Sequence, residues 1–302
     1  GGLSEHYVVV ELRAGAAASL PIAGRPDRPA LAELEAAAAA AGARSIVAVG
    51  AGVVLDLAKL AGARAGTGVV LVPAGAEPWR AVTTFATVDN GDGTRTSTPD
   101  SRLGGARIVV DAGLWAAVPA EAAALHRLDS AIHAIESLLS RRSQPYSQAL
   151  ATGALTALGD PEQPVRGVVG SFLAAEAFGS TKLGIAHALA SPLGAALGVS
   201  HDSLNCILGC QLPRQWPDAP AWLWAGRALG TKASGDGVAA ALGRMRAKAG
   251  LAGSLREAGI AWSDVDGVVD RALRSSGIPF LPRAVGREEL VAFARLCWEG
   301  AA

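Results

Sequence analysis

Asp129 and His133 have the residue types and the spacing of two ligands for one divalent cation. They stand four residues apart in the segment LDSAIHAIES, which predicts a helix, so both side chains project from one face of it. A carboxylate and an imidazole one turn apart can bind a single metal ion. Taken alone, the pair is more simply explained as an acidic residue in a helical first turn and a histidine on the helix surface.

Two further histidines follow in the apolar segment GIAHALASPLGAALGVSHDSLN. His187 lies on a short predicted helix that Ser191 and Pro192 should end or kink, and His201 follows fourteen residues later, at the start of another helix. A histidine buried in a run of Ala, Leu and Ile needs a polar partner. One shared ion would be that partner for three imidazoles and the Asp129 carboxylate, and Fe²⁺ and Zn²⁺ suit such ligands.

The elements before these residues alternate between strands and helices. Short apolar or β-branched runs predict the strands, and a run of Ala and Glu predicts a helix that Gly42 ends. The predicted strands cover residues 7–12, 45–49, 69–72, 85–88 and 107–110, with a loop at 21–29 and helices at 30–41 and 53–64. This order predicts a parallel sheet with crossover helices.

After Pro119 the pattern becomes helical, and no segment predicts a strand. The predicted helices cover residues 121–139, 146–158, 168–178, 184–190, 204–208, 219–229, 237–249 and 287–298. We therefore predict an α/β domain over residues 1–118 and an all-α domain over residues 119–302.

Composition excludes several classes of function. Lys+Arg and Asp+Glu both number 27, so the chain lacks the basic excess of a nucleic-acid-binding protein. No apolar run reaches the length of a membrane span, and residues 1–12 lack the pattern of a signal peptide. The three cysteines, Cys206, Cys210 and Cys297, are too few and too scattered for a disulfide scaffold. We expect buried thiols in a cytoplasmic protein with no nucleic-acid or membrane partner.

The chemistry-bearing segments occur in the order of a known family. A Gly-rich turn with Asp and Lys precedes D-x-x-x-H-A-x-E, then H-A-x-x-x-P-L-G-A, then a histidine before a helix. From about Ser45 onwards the chain thus resembles the iron-containing (group III) alcohol dehydrogenases of the dehydroquinate synthase-like superfamily. The resemblance implies an N-terminal Rossmann-like domain that binds NAD or NADP and a helical domain that binds Fe²⁺ or Zn²⁺. By motif, the implied metal ligands are Asp129, His133, His187 and His201.

Three further expectations come from the same resemblance. Metal-free maleylacetate reductases typically lose the Asp ligand, so its presence here favours a metal site. Many of the alcohol dehydrogenases have a histidine for proton transfer where this chain has Ser191, and His126 is either its replacement or, as is more usual, a residue of the helix surface. Relatives commonly form dimers or larger assemblies, which implies a homodimer here.

The cofactor side of the resemblance lies in residues 50–59, GAGVVLDLAK, where the family has G-G-G-S-x-x-D-x-x-K. Small residues at a helix start let backbone N–H groups and the helix dipole meet a pyrophosphate. Val53 replaces the family's serine, and Arg95 aligns with a family lysine. In isolation the segment is also compatible with an ordinary strand-to-helix turn. The implied cofactor-binding residues are Gly50, Ala51, Gly52, Val53, Asp56, Lys59, Thr83 and Arg95.

Residues 73–84 depart from the family, which has a Thr/Gly/Ser-rich stretch here. The segment PAGAEPWRAVTT brings in Glu77, Pro78, Trp79 and Arg80. Three outcomes are open: the bulky residues reshape the cofactor site, present a cation to a phosphate, or close the site.

The resemblance implies an oxidoreductase that interconverts an alcohol and a carbonyl. Because the loop is rewritten and Ser191 replaces a histidine, we expect a specialised biosynthetic role, such as oxidation of a hydroxyl on a peptide or natural-product intermediate, with loss of CO₂ where a β-keto acid forms. Two alternatives stay open: a dehydroquinate synthase-like lyase or cyclase, and a non-catalytic scaffold.

Overall fold

The protein is described by a computed structural model that covers residues 6–11, 17–22, 27–90, 95–160 and 162–300, with backbone only in the first two segments and at Arg95. The chain separates into two compact units, residues 1–119 and 120–302. The first unit is α/β and the second, in its described part, is all-α. The predicted fold class, a Rossmann-like domain followed by a helical domain, is confirmed.

The first unit is built on a five-stranded sheet with a separate hairpin. The strands are β1 (His6–Glu11), β2 (Ala17–Ile22), β3 (Ser45–Gly50), β4 (Gly68–Pro73), β5 (Phe85–Asp89), β6 (Arg95–Pro99) and β7 (Arg107–Ile108). In the order β2-β1-β3-β4-β7, strands β3, β4 and β7 run parallel, whereas β1 is antiparallel to both of its neighbours. The helices are α1 (Arg28–Ala40), α2 (Gly52–Ala65) and α3 (Ala112–Ala116), with short 3₁₀ turns at Pro78–Val82 and Ser101–Gly105.

Three predictions for this unit are wrong in detail. The loop predicted from Pro21 is partly strand, because Pro21 lies within the outermost strand, β2, where a missing N–H is tolerated. The strand predicted at 85–88 exists, but it pairs with β6 in the hairpin and not with the main sheet. The strand predicted at 107–110 covers only two residues. Leu12, the predicted end of the first strand, lies outside the described residues.

The second unit is organised around α4 (Ala120–Leu139). This 20-residue helix is buried along almost its whole second half, and it packs against α5, α6, α8 and α11. A helix that is buried on all sides lies at the centre of a bundle, and the polar residues it carries there, such as Asp129 and Glu136, need partners. The other helices are α5 (Pro145–Leu158), α6 (Pro164–Thr181), α7 (Ile185–Leu197), α8 (His201–Gly209), α9 (Leu212–Gln215), α10 (Ala221–Ala228), α11 (Gly235–Lys248), α12 (Trp262–Asp266), α13 (Val269–Ala272) and α14 (Arg287–Glu299), with a 3₁₀ turn at Ile278–Phe280.

Helix α7 extends past the predicted helix end at residue 190. It continues through Ser191 and Pro192 to Leu197, although a proline inside a helix costs about 3 kcal/mol. The helix buries Ile185, Leu189 and Leu193, among others, and the packing of this face outweighs the lost backbone bond. No helix in the described part of the chain is long and apolar enough to cross a membrane.

Candidate functional site

Asp129 and His133 lie on the buried part of α4. Asp129 is 1% exposed and His133 is 0% exposed, and His133 Nδ1 is 3.7 Å from Asp129 Oδ2. The four-residue spacing therefore brings the two side chains together on one face of the helix, as predicted. Neither belongs to a helix surface, so the simpler explanation of the pair is excluded.

Helices α7 and α8 bring two more imidazoles to His133. His187, in the first turn of α7, has its ring centroid 5.4 Å from that of His133. His201 is the first residue of α8, and its ring meets that of His187 edge-on at 4.4 Å. Phe178 of α6 packs against His133 at 5.0 Å. Three helices thus converge on a cluster of three histidines, with His187 in the middle.

The spacing of these rings fits ligands that share an ion. With metal–nitrogen distances of about 2.0–2.1 Å, two imidazoles on one ion have centroids roughly 4.5–5.5 Å apart. The observed 4.4 and 5.4 Å are close to that range. Within the described residues, however, no three or more His, Cys, Asp or Glu side chains are arranged to hold a metal ion. The structure gathers the predicted ligand types, and their role as ligands stays a prediction.

Glu136 fixes the start of the helix that carries His187. Its two carboxylate oxygens accept hydrogen bonds from the backbone N–H groups of Gly184 (2.8 Å) and Ala186 (2.9 Å), at the positive end of α7. Burial raises the pKa of Glu136 to about 7, against the effect of these N–H donors. Glu136 was part of the D-x-x-x-H-A-x-E motif, but its role in placing α7 was not visible in the sequence.

Asn205 is a site residue that sequence reasoning missed. It is fully buried on α8, one turn after His201, and its Nδ2 donates to Asp129 Oδ1 at 2.8 Å. A polar residue four positions after a predicted ligand on the same helix is the signal that could have identified it.

His126, the possible replacement for the family's proton-transfer histidine, is placed differently from expectation. His126 is buried on α4, only 6% exposed, which contradicts its assignment to the helix surface. Ser191 is an exposed residue of α7, one turn after His187.

All three cysteines are free and buried, as predicted.

The predicted cofactor turn is closed by the chain itself. The N–H of Gly52, the first residue of α2, donates to the Ala76 carbonyl at 2.8 Å, and the N–H of Ala74 donates to the Gly50 carbonyl at 2.9 Å. A methyl group on Gly52 would lie 2.5 Å from the Glu77 carbonyl oxygen and would overlap the Arg80 side chain. The close approach that glycine permits here is used by residues 74–80.

Two of the predicted cofactor residues form the buried centre of an ion-pair network. Asp56 and Lys59 are 0% and 1% exposed, and Lys59 Nζ lies 2.9 Å from Asp56 Oδ1. Arg80 joins Asp56 at 2.7 Å and Glu77 at 2.6 Å. Burial lowers the pKa of Lys59, and the Asp56 carboxylate opposes that effect. Two acids and two bases balance one another in this network.

Lys59 also holds the segment that leads into β5. Its Nζ donates to the carbonyls of Arg80 (2.7 Å) and Phe85 (2.8 Å) and to the Thr83 hydroxyl (2.9 Å). Thr83 itself is buried. Asp56, Lys59 and Thr83 therefore hold residues 77–85 in place, and nothing in these contacts is directed to a phosphate.

Residues 74–80 therefore pack against the start of α2 and accept a hydrogen bond from the Gly52 N–H group, at the turn where the resemblance places the pyrophosphate. Of the three outcomes left open by the sequence, these contacts favour the closed one, and the choice among them stays a prediction. Ala51 and Gly52 are buried, and Val53 is half-buried. Arg95 begins β6, and its side chain lies outside the described part of the chain. The direct role of these residues in cofactor binding stays a prediction.

Comparison with known proteins agrees with the fold and covers the segment that carries the histidines. Residues 123–297, more than half of the chain, match the sequence model of the Fe-containing alcohol dehydrogenase family, C-terminal. "Probable alcohol dehydrogenase EutG" of Escherichia coli (strain K12) is 28% identical over 200 residues, which are 61% of this chain and 50% of EutG. The chain thus spans about half the length of the first curated relatives it matches.

Solved structures share the fold over most of the chain. The iron-containing alcohol dehydrogenase of Corynebacterium glutamicum superposes with a TM-score of 0.81 at 22% identity, over 91% of this chain and 79% of that one. The sulfoacetaldehyde reductase of Bifidobacterium kashiwanohense, solved in complex with NAD⁺, gives 0.81 at 18% identity, over 91% and 82%. On the match of the family model, this chain belongs to the Fe-containing alcohol dehydrogenase family.

Proposed function

We propose that the protein is a metal-dependent oxidoreductase that interconverts an alcohol and a carbonyl, with NAD or NADP as the hydride partner. The observation that carries this proposal is the cluster of His133, His187 and His201 beside Asp129, within the residues that match the family. Three imidazoles and one carboxylate are a donor set suited to Fe²⁺ or Zn²⁺ with a position left for substrate.

Asp129, His133, His187 and His201 would hold the ion. When bound, such an ion supplies Lewis-acid chemistry, because it stabilises negative charge that develops on a substrate oxygen. Asp129 contributes a negative charge, and Phe178 packs against the ring of His133. Glu136 keeps the first turn of α7 in place, and with it the ring of His187.

The nicotinamide cofactor is supported by family membership and by the NAD⁺ complex of a protein with the same fold. Since the described start of α2 is filled by residues 74–80, we derive no step through the cofactor. We propose that it binds when that segment adopts a second arrangement, which the Arg80 variant tests.

The relatives' names support small alcohols and aldehydes as the substrate class: they include a lactaldehyde reductase and a 1,3-propanediol dehydrogenase. The narrower prediction, oxidation of a hydroxyl on a peptide or natural product followed by loss of CO₂, finds no support in them. No observation on the described residues favours a lyase or a scaffold over the oxidoreductase.

The test combines metal analysis with turnover. Purified protein should contain about one equivalent of a first-row divalent metal and oxidise NADH or NADPH in the presence of a small aldehyde. Asp129→Ala should lose both properties. Asp218→Ala, which removes an exposed carboxylate from the same unit, should keep both. Full turnover by chelator-treated Asp129→Ala would refute the proposal.

A further inference from the structure

Asn205 is placed to control one oxygen of Asp129. It lies one turn after His201 on α8, so a single helix brings both residues towards α4. Its Nδ2 donates to Asp129 Oδ1 at 2.8 Å, and the residue is fully buried. This hydrogen bond joins two elements of the histidine cluster, 76 positions apart in sequence.

The other half of the Asn205 amide, its carbonyl oxygen Oδ1, makes no contact with the described residues that would explain why this polar residue is buried. Its Oδ1 is buried and accepts no hydrogen bond from any residue that the structure describes. A buried amide with only half of its hydrogen bonds made destabilises a helical core. Its presence therefore calls for a function other than stability. Its one side-chain hydrogen bond within the described chain is directed at Asp129, and that points to the purpose.

We propose that Asn205 is a positioning residue for the metal site. By donating to Oδ1 it fixes the rotation of the Asp129 carboxylate and leaves Oδ2, which lies on the His133 side, as the oxygen for the ion. Hydrogen bonds of this kind to a ligating carboxylate orient it and raise metal affinity. A neutral amide does this without adding a second negative charge beside Asp129. The inference depends on the proposed function, since it requires that Asp129 binds a metal.

The experiment measures metal affinity in the full chain, by competition with a chelator, for Co²⁺ and Zn²⁺. Asn205→Ala should bind each ion 10- to 100-fold more weakly than the wild type, the usual effect of losing such a partner. Ser130→Ala is the matched control: it removes a buried hydrogen bond to Ser171 from the residue beside Asp129, and it should leave metal affinity unchanged.

Two further measurements separate positioning from packing. The Co²⁺ absorption bands of Asn205→Ala should differ from those of the wild type, because the released Oδ1 can also approach the ion. Asn205→Leu keeps the branched shape and the number of non-hydrogen atoms of the side chain and should show the same loss of affinity, which preserves the test where the alanine variant folds poorly.

The inference is overturned if both Asn205 variants bind metal within a factor of two of the wild type, with unchanged Co²⁺ bands, and only lose thermal stability. In that case the proposed function still stands on the wild-type metal content. Failure of the wild type to bind Co²⁺ or Zn²⁺ overturns both.

Discussion

Replacing Arg80 by methionine tests whether residues 74–80 control the start of α2. The guanidinium group joins Asp56 and Glu77 inside the first unit, and its stem packs over Gly52. Methionine keeps much of the apolar stem but removes both ion pairs. We therefore expect the segment to detach more readily from α2 while the sheet stays folded.

The free energy lost in Arg80→Met depends on the partners that Asp56 retains. Removing one partner of a buried ion pair costs about 3–5 kcal/mol. Asp56 retains Lys59 at 2.9 Å and the Thr87 N–H at 3.0 Å, so the lower value, about 3 kcal/mol, applies. If that loss falls on the closed segment, its closed-to-open ratio falls roughly 100-fold, since each 1.4 kcal/mol is tenfold. The apparent affinity for a dinucleotide should rise by up to the same factor.

The assay is a titration of the full chain with NADH and NADPH, followed by nicotinamide fluorescence. Amide hydrogen exchange at Gly52 and Arg80, whose N–H groups bind the Ala76 and Glu77 carbonyls, should become faster in Arg80→Met. The control is Arg102→Met, which removes an exposed arginine paired with Asp100 in the same unit and should change neither measurement.

Equal or weaker dinucleotide binding by a folded Arg80→Met variant would refute the prediction that residues 74–80 restrict access to the start of α2. Weaker binding would mean that the guanidinium contacts the phosphates directly. Equal binding would mean that residues 74–80 do not compete with the cofactor.

Three further predictions concern the helical unit. Glu136→Gln turns an N–H₂ group towards the N–H donors of α7, so the free energy of unfolding should fall by about 1–3 kcal/mol in urea titrations; an unchanged midpoint would contradict the capping role. In Gly184→Ala the new methyl group would lie 2.8 Å from Glu136 Oε1, and we expect a loss of roughly 1–3 kcal/mol together with weaker metal binding; a neutral effect on both would count against it. Burial raises the pKa of Cys210 to about 12 and that of Cys297 well above its usual range, so neither thiol should react with a disulfide reagent in the native protein at pH 8. Because the thiols lose their protons in the unfolded chain but keep them in the folded one, the free energy of unfolding should fall as the pH rises above about 9. A free energy of unfolding that stays constant above this pH would contradict the prediction.

Much of the framework could be predicted because local sequence and burial agree. The apolar run that forms β3 and the sharp Gly turn before α2 predict their structures directly. The four-residue spacing of Asp129 and His133 predicts their contact, because helix geometry alone sets it. The helix start predicted at His201 is confirmed, and Ser200 is the N-cap of α8.

The errors arise where tertiary contacts override local signals. Pro21 predicts a loop and Pro192 predicts a helix end or kink, but the outer strand β2 includes Pro21 and helix α7 continues past Pro192. The closed α2 start depends on contacts between residues more than twenty positions apart, such as Arg80 with Asp56, and no local pattern encodes them. The Asn205–Asp129 hydrogen bond spans a still longer interval and is visible only once α4 and α8 are packed.

Placing Asp129, His133 and Glu136 on one continuous helix has a consequence for insertions and deletions. Each residue added to an α-helix turns everything beyond it by about 100°. A one-residue deletion between Asp129 and His133 would therefore rotate His133 away from its carboxylate and separate Glu136 from α7 at the same time. A length change in the turn at residues 140–144, after α4 ends, would leave the relative orientation of these three side chains around the helix unchanged. Divergent relatives should accordingly vary in length between their helices while this stretch of α4 keeps its residue count.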